Sequence, residues 1–183
     1  KTLVKERIDY SNQMISVIQQ NQSDATEFGK NLRYAIRLGT KSFQPNDATY
    51  QDIKSSGNLS IIKDKNIIKA LNTYFKTTDG YSKTILKNVD LDFNQLSSFK
   101  NWLDIGVFNA NDEFYKDKIF TEDIRQKLSE DLPQFISEDI KPRLYGTALS
   151  LGLNNRRRLE LLNLIENEVE NMQKLLMQKC TND

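Results

Sequence analysis

The side chains that could do chemistry in this chain are its carboxylates, arginines, aromatic rings and one cysteine, because histidine is absent altogether. That absence removes Ser-His-Asp and Cys-His catalysis, the usual zinc ligand sets and the Glu-x-x-His di-iron motif. Carboxylates fall close together at Asp90 and Asp92, at Glu130 and Asp131, and at Glu166, Glu168 and Glu170. Converging carboxylates can do acid–base work or hold a divalent cation. Residues i and i+2, however, leave a helix on different faces. The spacing therefore predicts solvated helix surfaces, with no catalytic residues, no metal and no cofactor.

Three further groups invite the same weighing. Tyr74, Phe75, Tyr81, Phe93, Phe99 and Trp102 lie along one segment and read as core packing, with a ligand cleft as the alternative. Arg156, Arg157 and Arg158 form the one basic cluster, able to meet phosphate, lipid headgroups or an acidic partner, or else a solvated face with Glu160 one turn on from Arg156. Cys180 has no second cysteine to bond within the chain, so it reads as a tail residue or an intermolecular link.

The elements that must position these residues are helices. Val4, Ile8, Ile15, Ile18, Ala25, Leu32 and Ile36 follow a 3-4 rhythm, predicting one long helix over residues 2–39. Its polar run Gln19–Asp24 is either a kink or a solvated turn. Asn46 or Asp47 caps a short helix that ends at Gly57, and Asp64 caps the next. A second long helix spans about 65–104, with Thr78 and Ser82 on its apolar face and a possible break at Thr78–Gly80. The last runs over about 143–179, with a possible division at Gly152. No strand pattern intervenes. The expected fold is all-α: one domain over residues 1–183, an elongated antiparallel helical bundle with long first, middle and last helices.

Pairing the first and last helices antiparallel sets Val4 level with Leu176, Ile15 with Ile165 and Ile18 with Leu162. Gln22 then falls opposite Arg158, and Ala25 opposite Asn155. The polar breaks of two apolar seams would meet in one layer of Gln22, Asn155 and Arg158. Such a layer must bond internally, since an unsatisfied buried polar group costs about 1–3 kcal/mol. The alternative is a bend that leaves these residues in water.

Composition narrows the setting. A net charge of +1 lacks the basic excess of a nucleic-acid binder, so no nucleic-acid partner is expected. No apolar run approaches the roughly 20 residues of a membrane span. Lys1 in place of a starting Met predicts that a segment carrying any signal or anchor precedes it.

One stretch carries a resemblance. Phe43–Asn46, Thr49–Tyr50, Ile53–Leu59, Ile61–Lys65 and Ala70–Phe75 resemble a family of single-pass membrane proteins from Bacteroidetes-type bacteria, a domain of unknown function. The likeness covers residues 43–75. It implies a membrane anchor upstream of Lys1 and a helical domain outside the cytoplasm, and it supplies no catalytic residues. Two functions compete on this reading. One is an extracytoplasmic module of a membrane-anchored protein that senses a small ligand or binds a protein partner. The other is a structural or oligomerisation bundle, for example a homodimer, with no ligand. An enzyme working with carboxylates alone is the least supported.

Overall fold

A computed structural model describes residues 1–20, 25–36, 46–97 and 141–180. They form α1 (Thr2–Gln19), α2 (Ala25–Ile36), α3 (Ala48–Ser55), a 3-10 turn (Asn58–Ile61), α4 (Lys65–Ser97) and α5 (Lys141–Cys180). The fold is an all-α bundle, with no strand among the described residues. None of these helices is long and apolar enough to cross a membrane. The described residues divide into two compact units. One holds α1, α2, α4 from Val89 and α5 as far as Leu159; the other holds α3, the 3-10 turn, α4 as far as Asn88 and α5 from Glu160.

In the first unit the segment expected as one rod is two helices lying side by side. Tyr10 of α1 stacks on Tyr34 of α2, ring centroids 4.8 Å apart, so the two run antiparallel. The physical reason lies in Gln19–Asp24. A rod continuing through six polar residues has no apolar face to bury there, whereas reversal lets each helix cover the other. Met14, Val17 and Ile18 of α1 join Leu32 and Ala35 of α2 and Leu144, Ala148 and Leu151 of α5 in one buried cluster. Each large aliphatic side chain among these contributes about 1.5–3 kcal/mol through burial.

The buried residues of α1 are Val4, Arg7, Ser11, Met14, Val17 and Ile18, a 3-4 seam widened at Val17 that includes two polar residues. Ile8 and Ile15, expected on the seam, are only half-buried. Polarity misdirects the reading because Ser11 is satisfied locally, its hydroxyl donating to the Arg7 carbonyl at 2.9 Å. Its small side chain faces Gly152, where an added Cβ would sit 3.5 Å from that of Ser11. Gly152 therefore lies inside an unbroken 40-residue α5 and lets α1 come close. The register also differs from expectation: Ser11 meets Gly152, not the Val169 level. That is a slip of roughly 25 Å at 1.5 Å per residue.

The second unit is organised by punctuation. Gly57 adopts φ 73°, the left-handed stop that favours glycine, and releases the chain into the 3-10 turn. Asp64 Oδ1 accepts from the Asn66 amide at 2.8 Å, capping α4 as expected. Asp47 makes no such cap on α3; its carboxylate instead accepts from Gln51 Nε2 at 2.8 Å. Tyr50 fixes α3 on α4: its ring stacks on Phe75 at 4.2 Å, and its hydroxyl donates to Asn72 Oδ1. α4 passes without a break through Gly80. Thr78 is tolerated in its buried face because its hydroxyl donates to the Tyr74 carbonyl at 2.8 Å. Ile85 packs with Leu161 and Ile165, and Tyr81 and Val169 close round them, so α4 and α5 run antiparallel.

Gly80 and Gly146 sit within helices, and an added Cβ at either would meet nothing within 4 Å. Gly80→Ala and Gly146→Ala should each raise stability in urea denaturation by about 0.5–1 kcal/mol. Gly57→Ala should lower it by about 1 kcal/mol, because its positive φ strains any other L-residue.

Candidate functional site

Two places gather polar side chains. The first, in the first unit, is a buried charge cluster. α4 brings Asp92 and α5 brings Asn154, Asn155 and Arg158, three positions within a five-residue stretch of helix. Asp92, Asn155 and Arg158 are 3%, 0% and 3% exposed. Asn154 Nδ2 donates to Asp92 Oδ1 at 2.6 Å, and Arg158 Nη2 forms an ion pair with Asp92 Oδ2. Arg158 Nη1 donates to Asn155 Oδ1 at 3.0 Å. Asn155 Nδ2 in turn donates to the Ala35 carbonyl at 3.1 Å. That carbonyl lies in the last turn of α2, where the intrahelical ladder runs out of donors. A guanidinium suits the junction because its planar fork can bond a carboxylate and an amide oxygen at once. Its Nε has no acceptor among the described residues.

Burial pushes the Asp92 carboxyl above the usual carboxylate range; the Asn154 hydrogen bond, the Arg158 charge and hydrogen bond, and the Arg7 charge pull the other way without overcoming it. Arg7 of α1, 3% exposed, thus lies within electrostatic reach of the same carboxylate. Both oxygens of Asp92 are engaged. A carboxylate so held orients helices, and its burial keeps it from any substrate unless the packing opens.

Of the residues expected in a polar layer, Asn155 and Arg158 are hydrogen-bonded to each other, and Gln22 lies outside the described residues. Arg156 and Arg157 are exposed, whereas Arg158 is buried. Asp90, Glu166 and Glu170 are exposed as expected, but Asp92 is buried, which corrects its assignment to a solvated face. Glu130, Asp131, Phe99, Trp102 and the side chains of Phe93 and Cys180 lie outside the described residues. Asp92 and Arg7 were missed, although a signal existed. Thr78, Ile85 and Asp92 are seven residues apart on α4, and Arg7 falls between Val4 and Ser11 on the α1 seam.

The second place is a groove of about 320 Å³ in the second unit. One wall is α4 over Asn66–Tyr74, the other α5 over Glu168–Leu175. Ala70, Tyr74, Glu168, Met172 and Leu175 are half-buried and form its floor, while Lys69 and Asn171 stand at the rim. Neither Lys69 nor Glu168 has an ion-pair or hydrogen-bond partner among the described residues. Lys83 and Asp79, elsewhere on α4, are paired at 2.7 Å. No group of three metal-ligating side chains occurs among the described residues.

No family model, curated protein or solved structure matches the chain.

Two outcomes test the charge cluster. Asp92→Leu leaves Arg158 buried without its countercharge and removes a favourable charge from Arg7, so urea denaturation should show a loss of about 3–5 kcal/mol. Adding Arg158→Met should recover part of that loss; no recovery would mean the two residues act separately. The pH dependence has a definite sign. With its folded pKa raised above 3.8, Asp92 holds its proton more tightly in the folded state. Its contribution is complete below that value and is lost as pH rises through the folded pKa. The stability difference between the native chain and Asp92→Asn should therefore shift against the native chain as pH rises above 3.8. A shift in its favour would reject the assignment.

Proposed function

We propose that this chain is a helical sensing or partner-binding module of a membrane-anchored protein, displayed outside the cytoplasm. The observation that carries the binding half is the groove between α4 and α5, lined by the half-buried carboxylate of Glu168, which has no partner among the described residues. Charges that stabilise a fold are normally paired or fully solvated. The anchor and its side of the membrane rest on the resemblance over residues 43–75. The Asp92–Arg158 cluster serves as a register lock in this reading, and no catalytic step is assigned to it.

A structural or oligomerisation role is the second reading, favoured by Leu149 and Leu153. These stand one turn apart on α5 and are 41% and 64% exposed, an apolar strip of the kind that seats another helix.

A thermal-shift screen of metabolites separates the two readings. Binding predicts a compound that raises Tm and loses its effect in Glu168→Gln. The structural reading predicts no such compound and a dimer in light scattering that Leu153→Glu dissociates. For the anchor, fusing reporter enzymes to the end of the full-length protein should give activity only with the reporter that works outside the cytoplasm.

A further inference from the structure

We infer that one exposed strip of α5, in the first unit, docks on an anionic bilayer surface, its leucines entering the headgroup layer and its arginines meeting lipid phosphates. Helical period places the residues. At 3.6 residues per turn, Gly146, Leu149, Leu153, Arg156 and Arg157 fall within a strip of about 100° that runs along the helix for about 17 Å. All five are exposed, while Ala148, Leu151, Asn155 and Arg158, on the other side of the same turns, are buried. The strip thus joins the exposed leucine pair to the two arginines that the Asp92 cluster does not use.

Charge decides what covers it. No Asp or Glu occurs from Lys141 to Leu159, and Arg143 adds a further exposed cation on one flank. Glu160, the first acidic residue past this stretch, ends it. A second copy of the strip does not answer that charge. Run parallel, arginine stacks on arginine; run antiparallel with the leucines opposed, Arg156 and Arg157 face the stretch around Gly146, which holds no carboxylate. A protein partner is held by several anchors seated in pockets, and this strip is a convex ridge with two leucines. A bilayer interface asks for no pocket. Its acyl boundary takes up the leucines, and arginine stems lie along that boundary with the guanidinium at the phosphates. Each basic side chain near an anionic surface strengthens attachment about fivefold.

The test is co-sedimentation of the whole chain, at low salt, with phosphatidylcholine vesicles that contain or lack an equimolar share of phosphatidylglycerol. The chain should sediment with the anionic vesicles and stay in solution beside the neutral ones, and about 0.5 M salt should release it. Arg156→Gln and Arg157→Gln should each weaken binding about fivefold, and Leu153→Gln about as much. Lys76→Gln, on an exposed part of α4, should leave it unchanged. All four positions are exposed, so the core stays intact, which circular dichroism melting checks. Absence of binding to the anionic vesicles overturns the inference. So does equal binding to the neutral ones, or an equal loss in Lys76→Gln, which would mean diffuse attraction without a docking face. A dimer in light scattering that Leu153→Glu dissociates gives the strip to a second copy and overturns it as well.

Discussion

A carboxylate and two guanidinium groups share the buried interior of the first unit, and the arrangement of its helices follows from keeping them satisfied. Taking such groups from water costs several kcal/mol each even after relaxation. The position of Asp92 is therefore dictated by where Arg158 and Asn154 can reach it, and theirs by the turn of α5 that carries Asn155. A slip of one turn between α4 and α5 would strand a charge. Apolar contacts among Met14, Leu144 and Leu151 supply adhesion but tolerate several packings, whereas the charged cluster tolerates one. Its worth lies in uniqueness of register more than in net stability, in keeping with burial outweighing the attraction at Asp92.

Much of the fold was legible because long helices announce themselves by period. The all-α class, the stop at Gly57 and the cap at Asp64 follow from spacing and from residue chemistry at turns; Asn155 and Arg158 are buried, but at a register other than the one that singled them out. What misled was the equation of polar with exposed. Arg7, Ser11 and Asp92 occupy seam positions by number, yet their side chains argue for water when each helix is read alone. Only the partner helix reveals why they are inside: Gly152 leaves room for Ser11, and Arg158 answers Asp92. The register between α1 and α5 was lost for the same reason. Matching apolar residues pairwise gives no weight to a serine against a glycine, although small residues set how closely helices approach.

The reversal between α1 and α2 shows a different limit. A polar run inside an amphipathic pattern fits a bent rod and a hairpin equally well on local grounds, and only the apolar faces on both sides decide. Tyr10 against Tyr34 decides it here. The groove in the second unit was legible only in part. Tyr74 stood among rings read as core with a cleft as the alternative, but Lys69 and Glu168 look like ordinary helix-surface residues until α4 and α5 are set side by side.

The bond from Asn155 to the Ala35 carbonyl bridges 120 positions of sequence. At a synthesis rate of about 5–20 residues per second, the ribosome makes α2 roughly 6–24 s before it makes the residue that completes its final turn. Helical bundles fold in microseconds to milliseconds, so α1 and α2 wait far longer for α5 than folding itself takes. The nascent chain thus carries an exposed apolar flank until α5 emerges. Chaperone capture during translation would find its natural window there.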